Sequence, residues 1–167
     1  MTGLDAFLGE REIASAEGME MLGREIGAAL TAGDLVVLTG PLGAGKTTLT
    51  RGIGEGLGVR GPIQSPTFVI ARTHPSLRGG PSLVHVDAYR LGTDGELDDL
   101  DIDFARSVVI AEWAAPYAAA VADVWWEIEI DRGWSGTGLD TACGTGGPHI
   151  ADMEDAAPRR VRVSRRP

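Results

Sequence analysis

The chain has 167 residues, of which 43% are hydrophobic and 23% are charged, and its 24 acidic and 15 basic side chains give a net charge of −9. This length predicts one folded domain. We expect it in the cytoplasm, because no run approaches the roughly 20 apolar residues of a membrane span and the N-terminal stretch does not resemble a secretory signal. The acidic balance argues against a broad basic face for nucleic acid, so we expect any contact with RNA to be indirect.

The first predicted elements are a helix and a buried strand. The helix begins near Ser15, a suitable N-cap, and places Met19, Leu22 and Ile26 on one apolar stripe. The short apolar run from Leu35 to Leu38 follows turn residues, as is typical of a buried parallel strand.

The predicted strand leads into a glycine-rich loop, GPLGAGKT at residues 40–47. A second helix is predicted from Lys46 to Leu57, ending against Gly58. The loop therefore lies between a strand and a helix.

The middle of the chain contains three further predicted strands and two helices. Strands are predicted at Phe68–Arg72 and Leu83–Val86, joined by an exposed hairpin-type loop rich in Pro and Gly, and at Val108–Ala111. An acidic helix is predicted over Gly95–Leu100, and an alanine-rich helix around Tyr117–Val121.

The end of the chain predicts an antiparallel strand pair. Glu127–Ile130 and Arg160–Val163 both alternate polar and apolar residues. Pairing would set arginine against glutamate on one face and bury the β-branched residues on the other. The glycine-rich stretch Gly133–Pro158 between them is predicted to be a long mobile insertion.

The glycine-rich loop matches the complete phosphate-binding pattern GxxxxGK[ST]. Its glycines let backbone N–H groups and the N-terminus of the next helix surround phosphates. Lys46 is expected to reach the β- and γ-phosphates of ATP, and Thr47 to give its hydroxyl to Mg²⁺. The predicted nucleotide-binding residues are Gly40, Gly43, Ala44, Gly45, Lys46, Thr47 and Thr48.

Two predicted strands end in a carboxylate: LVHVD at Asp87 and VVIAE at Glu112. Ligands bind beyond the carboxyl ends of parallel strands, so both acids should face the crevice of the glycine loop. One could hold Mg²⁺ while the other orients or deprotonates a water. The alternative is that either acid only begins a loop or caps a helix. The segment Gln64–Thr67 is less specific, since Ser-Pro is a common turn.

Taken together, four motifs resemble the TsaE family, the small ATPase of bacterial tRNA threonylcarbamoyladenosine synthesis. They are GPLGAGKTTLTRG at 40–52, SPTF at 65–68, HVDAYRL at 85–91 and EW at 112–113. The resemblance covers roughly residues 15–130. It implies an α/β P-loop fold with parallel central strands and antiparallel edge strands. It also implies partner proteins of the TsaB and TsaD types, which transfer threonylcarbamoyl to an adenosine beside the tRNA anticodon.

The resemblance implies roles for five positions. Lys46, Thr67 and Asp87 are expected to be catalytic, with Thr67 in a switch-like segment and Asp87 acting on water. Thr47 and Glu112 are expected near Mg²⁺.

Two other functions remain open from the residues. A small-molecule kinase shares the P-loop and this size, but its mobile lid usually carries arginines, whereas the arginines here lie just outside 133–158. A non-catalytic nucleotide switch would not need Thr47, Asp87 and Glu112 together.

Overall fold

The computed structural model of the chain describes residues 3–66, 69–91, 98–132 and 157–167. The α-helices in these ranges are α1 (Ala16–Ala29), α2 (Lys46–Leu57) and α3 (Ala118–Val121). The strands are β1 (Gly9–Ile13), β2 (Leu35–Thr39), β3 (Ala71–His74), β4 (Ser82–Asp87), β5 (Ser107–Glu112), β6 (Trp125–Arg132) and β7 (Arg159–Arg166). Short 3-10 helices cover Gly3–Phe7, Ala88–Arg90 and Asp98–Leu100.

The strands form one sheet in the order β1-β7-β6-β2-β5-β4-β3. The four central strands β6, β2, β5 and β4 run parallel. The pairs β1–β7, β6–β7 and β3–β4 are antiparallel. The predicted sheet, with parallel central strands and antiparallel edges, is thereby confirmed.

Both faces of the sheet are covered, which explains why the central strands are apolar without alternation. On one face Val36 and Leu38 of β2 pack with residues of α1 and α2, such as Ile26 and Ile53. On the other face, alternate residues of the same strand join a second core that includes α3. The described helices are too short or too polar to cross a membrane.

Helices α1 and α2 pack with their backbones in close approach at glycines. A Cβ atom added to Gly23 would lie 2.4 Å from the carbonyl oxygen of Leu49, and one added to Gly27 would lie 2.2 Å from that of Ile53. No side chain larger than hydrogen fits there without moving a helix. This packing fixes α2, and α2 carries the phosphate loop at its N-terminus.

Several predicted boundaries are confirmed. Ser15 caps α1 by accepting a hydrogen bond from the Gly18 N–H. Helix α2 covers the predicted residues and ends at Gly58, which has a φ of 73°. The predicted helix at Tyr117–Val121 is α3, with Tyr117 at its N-cap.

The predicted terminal hairpin is also confirmed. Glu129 lies opposite Arg162 in β6–β7, while Ile130 and Val161 form a buried pair. The ion pairs extend to β1, since Glu10 contacts both Arg160 and Arg162.

One strand prediction was wrong, and one strand was not predicted. The strand predicted at Phe68–Arg72 begins instead at Ala71 and extends to His74. Ile70 has a φ of 64°, which no strand residue adopts, and its N–H bonds to Pro66 in a turn. Strand β1 was not predicted, because its sequence GEREI is mostly charged. Each of its five residues is paired with β7.

Some predictions fall on residues outside the described ranges. These include Thr67 and nearly all of the predicted insertion at 133–158. The predicted helix over 95–100 lies partly outside them, and its described end is the 3-10 turn at Asp98–Leu100.

Candidate functional site

The phosphate loop connects the buried strand β2 to α2. Gly43 and Gly45 have φ values of 75° and 112°, in the left-handed region where residues with side chains are strained. At Gly40 a Cβ atom would lie 2.4 Å from the carbonyl oxygen of Ile130 on β6. The glycines are therefore required by the path of the loop.

Lys46 is oriented from the first turn of α2 and is only 6% exposed. Its Nζ donates to the carbonyl oxygens of Gly40 at 2.7 Å and Pro41 at 3.1 Å. An ammonium has three N–H groups, so one remains for a ligand. Burial lowers the pKa of the Lys46 amine, and the charges of Glu112 and Asp87 partly oppose this shift.

Asp87 and Glu112 end the neighbouring parallel strands β4 and β5, where they lie directly opposite each other. Both are buried. They face a cavity of about 680 Å³, as the sequence predicted. This cavity, here called the phosphate crevice, is lined by Leu42, Gly43, Gly45, Lys46, Thr47, Thr48, Ser65, Asp87, Tyr89, Glu112 and Trp113.

Asp87 also has the local capping role that is the alternative to a role in the crevice. Its Oδ1 accepts a hydrogen bond from the Tyr89 N–H at 3.1 Å and caps the short 3-10 turn after β4. One carboxylate oxygen is used in this cap, so Asp87 retains Oδ2 for a ligand. Capping and a role in the crevice are therefore compatible.

His85 is a site residue that sequence reasoning did not assign. It lies two residues before Asp87 on β4 and is fully buried. Its Nε2 is 2.9 Å from Oε1 of Glu112. The histidine stands in the HVDAYRL motif, but the contact joins residues 27 positions apart, and spacing along the chain does not reveal it.

Two aromatic residues cover one side of the phosphate crevice. Trp113 has a φ of 62°, a strained value for a bulky residue, and this turn follows directly after Glu112. Its ring centre is 4.7 Å from Lys46 Nζ, within the range of a cation–π contact. Tyr89 packs edge-on against it, with the ring centres 5.9 Å apart, and remains 76% exposed.

An arginine contacts the phosphate loop from the end of β6. Arg132 donates from its guanidinium to the carbonyl oxygen of Leu42 at 2.6 Å. Leu42 lies at the loop tip and is 89% exposed. Arg132 supports the loop and is not among the described residues that line the phosphate crevice.

A second cavity, of about 260 Å³, adjoins the loop on its other side. It shares Gly43, Gly45 and Thr48 with the phosphate crevice. Besides one more loop residue, its other walls are the end of β1, the segment before α1, the start of α1 and the residues at and just before the start of β7, which the sequence did not connect with the site. These walls are formed by Ile13, Ala14, Ser15, Ala16, Met19, Ala44, Ala157 and Arg159.

The oxygen groups in the phosphate crevice suit Mg²⁺. Among the described residues no group of three or more His, Cys, Asp or Glu side chains could hold a metal by itself. Magnesium in nucleotide sites commonly uses one or two carboxylates together with substrate phosphates and water. The Thr47 hydroxyl and the two strand-end carboxylates match that pattern and would not form a protein-only metal cage.

The structure thus brings most of the predicted site residues together around one loop. Lys46, Thr47, Asp87 and Glu112 line the same crevice. Ala44 lines the second cavity, and Gly40 accepts a hydrogen bond from Lys46. The predicted Thr67 lies outside the described residues.

Comparison with known proteins gives a consistent family match. Residues 13–136 match the family model described as threonylcarbamoyl adenosine biosynthesis protein TsaE. The chain is 57% identical over 117 residues to the tRNA threonylcarbamoyladenosine biosynthesis protein TsaE of Streptomyces coelicolor, covering 68% of this chain and 79% of that protein. A protein of the same name from Mycobacterium leprae is 48% identical over 120 residues, covering 66% of this chain and 74% of that protein.

A solved structure shares the fold. The crystal structure of Bacillus subtilis YdiB aligns with a TM-score of 0.60 and 26% sequence identity, covering 91% of this chain and 81% of that chain. The family match includes the phosphate loop and both strand-end carboxylates.

Proposed function

Because the chain belongs to the TsaE family of threonylcarbamoyl adenosine biosynthesis proteins, we propose that it binds and hydrolyses ATP as a subunit of the machinery that makes tRNA threonylcarbamoyladenosine. The observation that carries this proposal is the phosphate crevice. There a phosphate loop with a buried lysine faces two carboxylates from neighbouring strand ends. This arrangement supplies groups for phosphate binding, metal binding and water activation in one place.

Phosphate binding would fall to the loop and Lys46. Backbone N–H groups of the glycine loop and the N-terminus of α2 favour negative charge. Two N–H groups of Lys46 are already bound to loop carbonyls, which holds the ammonium in place and leaves the third for a phosphate oxygen. The lysine is thus preorganised, and its ordering does not have to accompany ATP binding.

Thr47 and Glu112 would hold magnesium, and Asp87 would orient or deprotonate the attacking water. Magnesium held there would supply positive charge to offset the negative charge that develops on the phosphates. Asp87 suits the other role because its Oδ1 is held by the Tyr89 N–H, which fixes the carboxylate in position. Thr67 would act from the switch-like segment before β3.

The second cavity would receive the nucleoside part of ATP. It meets the phosphate crevice at Gly43, Gly45 and Thr48, so a nucleotide crossing the loop would place phosphates on one side and its base on the other. Apolar walls such as Ile13 and Met19 suit a flat base.

Partner proteins of the TsaB and TsaD types would complete the activity in the cytoplasm, and contact with tRNA would be indirect. The described residues lining the phosphate crevice include no arginine that could stabilise the transition state, a contribution on the order of 10³ or more in related enzymes.

The net charge of −9 is unfavourable for direct binding to RNA. Arg160, Arg162 and Arg166 of β7 are already paired with glutamates.

The first test uses the fact that Lys46 is the only lysine in the sequence. An amine-reactive acetylating reagent should modify the peptide containing Lys46, and mass spectrometry would measure the rate. ATP with MgCl₂ should protect this peptide, whereas adenosine should not. Equal labelling with and without ATP would contradict phosphate binding at the loop.

The second test measures turnover and RNA binding. Phosphate release should be slow for the chain alone and faster with the threonylcarbamoyl-transfer proteins added, and filter binding to unmodified tRNA should be weak. Rapid turnover that needs only a small hydroxylic acceptor would favour a kinase. Nucleotide binding with no hydrolysis under either condition would favour a non-catalytic switch.

A further inference from the structure

His85 is a polar residue in a position that packing alone does not explain. Its side chain is 0% exposed, on the same sheet face as Leu83 and Asp87, because alternate residues of β4 share a face. Its Nδ1 has no hydrogen-bond partner among the described residues. A buried polar atom without a partner destabilises the folded state, and an apolar side chain of similar size would avoid that cost.

The contact that the ring does make is with Glu112. His85 lies opposite Ile110 of β5. Its diagonal neighbour is Glu112, two residues further along β5 at the phosphate crevice. His85 Nε2 and Glu112 Oε1 are 2.9 Å apart, and both side chains are buried. An ionised carboxylate only accepts hydrogen bonds, so the tautomer that fits this contact is the one with the hydrogen on Nε2, which donates it to Glu112.

We propose that His85 is a positioning residue that holds Glu112 by Oε1 and leaves Oε2 as the oxygen offered to the phosphate crevice. This inference rests on the proposed function, in which Glu112 binds magnesium. A glutamate has several rotatable bonds, and a buried donor that fixes one oxygen restricts the other to a narrow range of positions. A hydrogen bond from a neighbouring residue to a metal-binding side chain orients that side chain. Its loss typically lowers metal affinity 10- to 100-fold.

The experiment compares His85→Leu with His85→Gln. Leucine keeps an apolar packing volume without a donor, whereas the glutamine amide can donate to Glu112. The readout is the MgCl₂ concentration needed for half-maximal binding of a fluorescent N-methylanthraniloyl ATP, measured beside thermal unfolding and beside binding in EDTA. His85→Leu should raise the magnesium midpoint about 10- to 100-fold and leave binding in EDTA unchanged. His85→Gln should keep the magnesium midpoint close to the wild-type value.

Glu112→Gln separates failure of this inference from failure of the proposed function. If Glu112→Gln raises the magnesium midpoint but His85→Leu does not, His85 is only structural and the inference is overturned. If Glu112→Gln leaves the midpoint unchanged, the proposed metal role of Glu112 is wrong, and the inference fails with it. In the double variant, His85→Leu should add little to Glu112→Gln, because both act through one carboxylate.

A second measurement does not depend on magnesium or on folding of the leucine variant. In ¹⁵N-histidine spectra of the wild-type chain, His85 should carry its hydrogen on Nε2, with His85→Gln used to assign the signal. A hydrogen on Nδ1 alone would remove the donor to Glu112 and overturn the proposal.

Discussion

Replacing Gly27 by alanine is expected to destabilise the chain, although alanine is the better helix former. Gly27 lies in α1 where this helix meets α2, and an added Cβ atom would lie 2.2 Å from the oxygen and 2.9 Å from the carbon and Cα atoms of Ile53. All three are backbone atoms, so no side-chain rotation relieves the clash. The two helices must separate instead.

The size of the effect follows from two opposing terms. Alanine gains about 0.5–1 kcal/mol over glycine inside a helix, whereas overpacking a well-packed interior costs about 1–3 kcal/mol and occasionally more. Because the clash is with backbone, we expect overpacking to dominate and the net loss to be about 1–2 kcal/mol. At about 2–4 °C per kcal/mol for a chain of this size, Tm should fall by roughly 2–8 °C.

Gly18→Ala in the same helix is the matched control. There the nearest atoms to an added Cβ are side-chain atoms of Ile13 and Ser15, at 3.3 and 3.4 Å. This variant should keep the wild-type Tm or exceed it slightly. Thermal and urea unfolding of both variants measure the difference, and equal Tm values for the two would refute the close-packing argument.

Three further predictions concern the phosphate crevice and a buried histidine. Lys46→Ala should abolish measurable ATP binding in calorimetry with little change in Tm, while Arg51→Ala, which removes a positive charge from the exposed side of the same helix, should keep wild-type affinity. Glu112→Ala should weaken the magnesium dependence of nucleotide binding, whereas Asp87→Ala should spare binding and depress phosphate release. Magnesium titrations of both variants measure the difference, and the reverse pattern would exchange the two roles. Burial lowers the pKa of His74, so the folded state disfavours its charged form, and stability should fall as pH drops below the ordinary histidine value of about 6.5. His74→Asn should make urea stability less dependent on pH in that range, and an unchanged pH profile would contradict the shift.

The sequence by itself determined the features that depend on neighbouring residues. The strand, glycine loop and helix from Leu35 to Leu57 follow from turn residues, apolar runs and a helix-stopping glycine, and all were predicted at nearly the observed bounds. Asp87 and Glu112 were predicted in one crevice because parallel strands bring their carboxyl ends to the same edge. The terminal hairpin followed from two alternating segments of opposite charge.

Only the tertiary structure decided the features that join distant residues. Strand β1 is too charged to be predicted from its pattern and is held in place by β7, about 150 residues later in the chain. The start of β3 depends on the turn at Ile70. The second cavity combines segments near residues 13, 45 and 158, and the contact of His85 with Glu112 crosses from one strand to the next. The local sequence pattern determines the secondary-structure preference of a segment, whereas packing determines which distant segments come into contact. In this chain the exact positions of the side chains in the phosphate crevice depend on those contacts.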